Sequence, residues 1–169
     1  MKTQFAVFIA TTLDGYIART DGRFDFLDPF TEEHGYTAFF AGIDALVIGR
    51  GTYDTVQAFP EWPYEKKRVI VCTAHPAPAK HGEEFWSGTP SKLAERLERE
   101  GVKKVYLDGG ALIRSFLKEG LVDELCINVV PLVLGSGLPL FASGLPEIKL
   151  RLVESKSYRS GLVQLKYTR

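Results

Sequence analysis

The chain has 169 residues, of which 45% are hydrophobic and 25% charged, and 21 basic side chains balance 21 acidic ones. This length suits one domain with a sizeable core, which we place at residues 1–169, and the composition excludes a disordered chain. The zero net charge argues against a dedicated nucleic-acid-binding protein, because such proteins normally carry a basic excess.

The first apolar run, Phe5–Thr11, is too short for a membrane span and lacks the cleavage site of a secretory signal, so it predicts a strand. Cys72 and Cys126 lie in apolar, strand-like segments without the spacing of metal ligands. We therefore expect buried, reduced thiols in a cytoplasmic protein that has no metal site and does not bind membranes.

Short apolar runs alternate with helical patterns along most of the chain. Five runs of four to eight residues predict buried strands of a parallel sheet. These predicted strands are Phe5–Thr11, Ala45–Ile48, Arg68–Thr73, Lys104–Leu107 and Glu124–Val130.

Four helices are predicted between these strands. Apolar residues recur at helical spacing from Tyr36 to Ile43, and a short second helix is expected after Thr52. Thr89 precedes a proline, which is typical of a helix N-cap, and the fourth helix follows Gly110.

The C-terminal third alternates apolar and polar residues over Ile148–Tyr158 and Leu162–Thr168, which predicts a β-hairpin. The predicted fold class is therefore α/β, with a mostly parallel central sheet, helices on both faces and an antiparallel C-terminal hairpin. Ligands of such sheets bind at the carboxyl ends of the strands.

Two strand ends carry residues suited to phosphate. Gly109 and Gly110 stand between a strand and a helix, where a backbone without Cβ atoms and free helix N–H groups can approach a diphosphate. Arg50 and Thr52 follow the second strand and suit the 2′-phosphate of NADPH. The alternatives are a tight glycine turn at the first position, and a surface arginine beside a helix cap at the second.

Four segments at strand ends together resemble the dihydrofolate reductase-like superfamily, and within it the C-terminal reductase domain of riboflavin biosynthesis and its single-domain relatives. The similarity covers Gln4 to Phe141. It is carried by Leu13–Ala18, Val47–Tyr53, Val105–Gly110 and Val130–Phe141, in the family's order.

The resemblance implies a three-layer fold, a homodimer, and an NADPH-dependent reductase that transfers a hydride to a pterin- or pyrimidine-like ring. Three sets of cofactor residues follow from it. Gly49, Arg50, Thr52 and Thr73 would hold the adenosine side, Gly109, Gly110, Ala111 and Leu112 the diphosphate, and Ala10, Ile17 and Ala18 the nicotinamide.

The resemblance also implies an acidic catalytic residue, for which Asp14 and Glu32 are the candidates and Asp108 is a third by position. The alternative for Asp14 is a carboxylate that stabilises its own turn, and for Glu32 a charge that complements the dipole of the first helix. Two other functions stay open at this point: a dinucleotide-binding protein without catalysis, and an interaction domain without a cofactor.

Overall fold

The computed structural model describes residues 1–169. Its ten strands are β1 (Gln4–Thr12), β2 (Tyr16–Ala18), β3 (Ala45–Gly49), β4 (Arg68–Cys72), β5 (Glu84–Trp86), β6 (Lys104–Asp108), β7 (Glu124–Val130), β8 (Leu138–Pro139), β9 (Arg151–Ser157) and β10 (Val163–Thr168). Eight of them form one sheet in the order β5-β4-β3-β6-β1-β7-β10-β9. The first six strands in this order, from β5 through β1 to β7, are parallel to one another. The last two, β10 and β9, are each antiparallel to the strand before them.

All five predicted buried strands are present within one or two residues of their expected ends. Three further strands, β2, β5 and β8, have two or three residues each. Segments this short show no usable periodicity, and they exist because neighbouring backbone offers hydrogen bonds.

The four helices are α1 (Tyr36–Ala41), α2 (Arg50–Gln57), α3 (Pro90–Arg99) and α4 (Gly110–Lys118). The N-cap at Thr89 is confirmed, since its side chain accepts a hydrogen bond from the backbone N–H of Lys92. The expected start of α2 after Thr52 is wrong, because this helix begins at Arg50. Thr52 therefore lies in its first turn.

Helices cover both faces of the sheet, so the predicted three-layer architecture is confirmed. On one face α3 and α4 insert Leu97 and Phe116 into an apolar core over Val47 and Leu107, and all four side chains are fully buried. On the other face α1 and α2 cover a second core. Burial of each large apolar side chain contributes about 1.5–3 kcal/mol, and these contacts hold the strand ends in place.

The C-terminal hairpin is confirmed, with β9 beginning at Arg151 rather than at Ile148. Its turn is closed by a hydrogen bond from the Gly161 N–H to the Tyr158 carbonyl oxygen, and Gly161 has a φ of 88°. Every residue of β9, which forms one edge of the sheet, is exposed. None of the helices has the length and apolar character that crossing a membrane requires.

Candidate active site

Two helices begin side by side at the carboxyl edge of the sheet. Helix α2 follows β3 and helix α4 follows β6, and these two strands are neighbours. Their N-cap residues, Gly49 and Gly109, carry no side chain that could satisfy the first backbone N–H groups. Both N-termini therefore direct free N–H groups and partial positive charge to the same edge of the sheet, as an anionic ligand requires.

The glycines of this edge leave space that other side chains fill. A Cβ on Gly109 would stand 2.8 Å from Oγ1 of Thr52, and one on Gly110 would stand 2.8 Å from Cδ1 of Ile17. A Cβ on Gly49 would lie 3.6 Å from the Cβ of Leu112. The structure thus brings six of the predicted cofactor residues into contact, and we call this group the glycine cradle: Ile17, Gly49, Thr52, Gly109, Gly110 and Leu112.

The predicted adenosine side lies next to the glycine cradle. Nε of Arg50 donates to Oδ1 of Asp54 at 2.8 Å, and Nη1 donates to the carbonyl oxygen of His75 at 2.5 Å. The His75 N–H in turn donates to Oγ1 of Thr73 at 3.1 Å. The Arg50 side chain is 41% exposed. Arg50 and Thr73 are therefore near each other, as predicted, through contacts with the same short segment.

That segment, residues 74–82, is held by a buried carboxylate that lacks a clear sequence signal. Glu83 is 5% exposed and accepts hydrogen bonds from the Tyr53 hydroxyl at 2.6 Å and from the backbone N–H groups of Lys80 and His81 at 3.0 and 2.7 Å. Burial raises the pKa of the Glu83 carboxyl, but these hydrogen bonds outweigh it and lower the pKa to about 2. Glu83 therefore stays ionised and fastens the segment to α2.

A small ribbon covers the other side of the glycine cradle, and we call this pairing of β2 with β8 the clasp. The clasp pairs Tyr16 with Pro139 and Ala18 with Leu138. The carbonyl oxygen of Pro139 would be 3.3 Å from a Cβ on Gly110. The clasp therefore brings Ile17, one of the two predicted nicotinamide residues of β2, against the start of α4, whereas the Ala18 backbone lies beside Gly137.

Asp14 stabilises the loop connections at one end of the clasp. Its carboxylate accepts hydrogen bonds from the Thr12 hydroxyl at 2.6 Å and from the N–H groups of Leu134 and Gly135 at 3.0 and 2.8 Å. The Thr12 hydrogen bond and the two backbone hydrogen bonds lower the pKa of Asp14 to about 2. Asp14 is thus an ionised hydrogen-bond acceptor at neutral pH, and its predicted catalytic role stays a prediction.

Glu32 is expected on the first helix, and this expectation is wrong because α1 begins only at Tyr36. Gly35 precedes the helix with a φ of 92°, and Glu33 accepts a hydrogen bond from its N–H at 2.7 Å. The Glu32 carboxylate instead accepts a hydrogen bond from the hydroxyl of Ser160 in the hairpin turn. The helix-dipole alternative for Glu32 is therefore wrong, and its catalytic role stays a prediction.

The remaining predicted residues are placed separately. Ala10 is partly exposed near the end of β1, next to Asn128 of β7, and Ala111 is exposed in the first turn of α4. Asp108 ends β6 directly before Gly109. Burial raises the pKa of Asp108 to about 6, against a hydrogen bond from the Gly109 N–H that lowers it.

A separate cavity of about 420 Å³ lies on the sheet face that carries α1. Phe8, His34, Phe39 and Cys126 are among its lining residues. No predicted cofactor residue lines it, whereas His34 is two positions from Glu32. Glu32 does not line the cavity either, since its carboxylate contacts Ser160 in the hairpin turn.

Comparison with known proteins gives matches along the whole chain. The sequence profile of the RibD C-terminal domain matches residues 4–164. The uncharacterized protein YwjB of Bacillus subtilis (strain 168) is 38% identical, over 100% of this chain and 99% of its own length.

Two solved structures are also similar. A protein of Shewanella sp. PV-4, named as a candidate for riboflavin biosynthesis, is 35% identical with a TM-score of 0.91, covering 100% of this chain and 99% of its own. The Thermotoga maritima diaminohydroxyphosphoribosylaminopyrimidine deaminase/5-amino-6-(5-phosphoribosylamino)uracil reductase is 16% identical with a TM-score of 0.76, covering 99% of this chain and 56% of its own. The second match shows a shared fold.

Proposed function

Because this chain belongs to the RibD C-terminal domain family, we propose that it is an NADPH-dependent reductase of a small pterin- or pyrimidine-like ring. One observation carries the proposal. Residues from β2, β3, α2 and α4, which the resemblance implies as parts of three sets of cofactor residues, meet in the glycine cradle. Two uncapped helix N-termini at the same edge of the sheet fit an anionic diphosphate, since their first N–H groups have no side-chain acceptor from the N-cap residues.

The chain's own residues have distinct tasks in this proposal. Arg50 and Thr52 hold the phosphate on the adenosine side, and Thr73 lies near the ribose. The bound cofactor supplies the hydride, as nicotinamide cofactors do. Ile17 and Ala10 orient the ring side of the ligand, and the clasp excludes water from it.

This cofactor assignment predicts a thermal-shift result for Arg50→Ala. NADPH at a hundred times its dissociation constant is expected to stabilise the wild type by about 2.7 kcal/mol, and NADH by less. Arg50→Ala is expected to remove most of this preference, because its guanidinium no longer meets the 2′-phosphate. Unfolding curves with each dinucleotide measure the effect, and Arg99→Ala, an exposed arginine of α3, is the control.

Failure of both dinucleotides to shift the wild-type unfolding transition would overturn the reductase proposal and favour an interaction domain. Stabilisation by NADPH without its oxidation by dihydropterin or aminouracil substrates would favour a dinucleotide-binding protein without catalysis.

We also propose that two copies pair through the open edge of β9. Leu152 and Val153 are 52% and 56% exposed there, although both are apolar, and the backbone groups of an edge strand are free to pair. Sedimentation equilibrium of the same preparations would give the mass of a dimer, and a monomer would contradict the pairing.

We propose that Glu32 supplies or directs the proton, whereas Asp14 acts by holding the loop connections of the clasp. Glu32→Gln is expected to lower kcat about a hundredfold without changing the dissociation constant of NADPH. Asp14→Asn is expected to weaken NADPH binding instead, because an amide cannot accept the same set of hydrogen bonds. Steady-state NADPH oxidation with any substrate that the wild type turns over measures both effects.

Glu33→Gln is the matched control for Glu32→Gln, since Glu33 is adjacent but only stabilises the start of α1. Equal kcat values for the Glu32 and Glu33 variants would remove Glu32 from the mechanism.

A further inference from the structure

Arg114 is a partly buried cation next to the glycine cradle that the function described so far does not use. Its Nη1 donates to the carbonyl oxygen of Pro139 at 2.6 Å and more weakly to that of Leu140 at 3.4 Å. Nη1 would also be 3.0 Å from a Cβ on Gly110. Arg114 therefore packs directly on the first residue of α4, in space that only glycine leaves free.

The charge of Arg114 is not neutralised within the chain. Both of its acceptors are neutral carbonyl oxygens, and neither Nε nor Nη2 makes a hydrogen bond. Arg50, the first residue of α2, is by contrast paired with Asp54. A guanidinium has five N–H donors in a planar fork, so most of the hydrogen-bonding capacity of Arg114 is free.

The place that the Arg114 guanidinium reaches makes this charge costly without a ligand. Arg114 is in the middle of α4, but its Nη1 lies 3.0 Å from the position of a Cβ on Gly110, in the first turn. The first turn of a helix carries partial positive charge, which disfavours a nearby cation and favours an anion. Lys118, in the last turn of the same helix, is placed where a cation is stabilising. An anion bound at the start of α4 would offset both the helix dipole and the charge of Arg114.

We propose that Arg114 is a further cofactor-binding residue, whose guanidinium is the counter-charge for the diphosphate of a dinucleotide bound over the glycine cradle. This inference rests on the proposed function and assigns the two cations to different phosphates. Arg50 meets the 2′-phosphate, which only NADPH has, whereas Arg114 meets the diphosphate, which NADPH and NADH share. The Nη1 contact with Pro139 keeps the fork in position when the ligand binds.

The test measures the dissociation constants of NADPH and NADH by fluorescence at several salt concentrations. Arg114→Gln is expected to weaken the binding of both dinucleotides about tenfold and by the same factor. It also flattens the salt dependence, because one screened charge is lost. Arg114→Lys keeps the charge and is expected to remain within about threefold of the wild type, with its salt dependence unchanged. Lys118→Gln, at the other end of α4, is the control and should change neither constant.

The outcomes separate this inference from the proposed function. A wild type that binds neither dinucleotide contradicts both. Wild-type binding together with unchanged affinity in Arg114→Gln overturns only the role of Arg114. Weaker binding with an unchanged salt dependence in both Arg114 variants shows that Arg114 only supports Pro139. This result also overturns the proposed contact between Arg114 and the diphosphate. If Arg114→Gln does not fold, Arg114→Lys decides alone, since loss of its salt dependence contradicts the proposal.

Discussion

Replacing Gly109 by alanine is expected to abolish NADPH binding and to lower the free energy of unfolding by about 2 kcal/mol. Gly109 has a φ of 108° and a ψ of 128°, a combination that residues with a Cβ rarely adopt. Its new Cβ would also be 2.8 Å from Oγ1 of Thr52, so this hydroxyl and the first turn of α2 would have to move. Urea unfolding and NADPH titration of the variant measure the two effects.

Gly51→Ala is the matched control for this change. Gly51 lies in the first turn of α2, its φ is ordinary, and no heavy atom is within 4 Å of the position of a Cβ. Alanine there is expected to raise stability by about 0.5–1 kcal/mol, because it favours the helix. Unchanged NADPH affinity in Gly109→Ala would mean that the ligand does not lie over the glycine cradle.

Replacing Glu83 by glutamine is expected to lower the free energy of unfolding by about 2 kcal/mol at pH 7, because two backbone N–H groups and the Tyr53 hydroxyl lose a charged acceptor. The effect depends on pH in a definite direction. The folded-state pKa of Glu83 is about 2, below its ordinary value of 4.5, so its stabilisation is present above 4.5. That stabilisation is lost as the pH falls toward 2.

Urea unfolding of wild type and Glu83→Gln at pH 7, 5 and 3 gives the free energy of unfolding of each protein at each pH. The difference between the two free energies should become smaller as the pH falls. Tyr53→Phe removes one of the three donors and should show a smaller loss. Because Glu83 holds the segment that carries His75, Glu83→Gln is also expected to reduce the preference for NADPH over NADH. A constant difference in the free energy of unfolding down to pH 3 would show that the carboxylate charge of Glu83 does not contribute to stability.

The parts of this molecule that the sequence predicts are those in which a local pattern and its tertiary role agree. The buried strands are runs of apolar residues because both of their faces are covered, and Gly101 and Gly120 end helices where φ is positive. The glycine turn before α4 is visible for the same reason, since its backbone conformation excludes other residues.

The missed features depend on partners distant in sequence. Arg114 belongs to the candidate site only because the clasp brings Pro139 to it, and β2 and β8 are too short to show a period. The resemblance implies an acidic residue on the first helix and therefore places Glu32 there, whereas α1 begins at Tyr36. Nothing local indicates that the Ser160 hydroxyl reaches Glu32.

The position of β1 in the sheet has a consequence for how this protein responds to its ligand. β1 comes first in the chain but lies between β6 and β7, so its hydrogen bonds join residues that are far apart in sequence. Tyr106 and Phe8 are 98 positions apart, and Asp123 and Phe5 are 118 positions apart. The glycine cradle is assembled from both halves of the chain, since its residues extend from Ile17 to Leu112 and the clasp extends it to Pro139. Binding energy at this site is therefore added to the global unfolding equilibrium, and local opening of the edge strand β9, which carries no predicted cofactor residue, leaves that contribution intact.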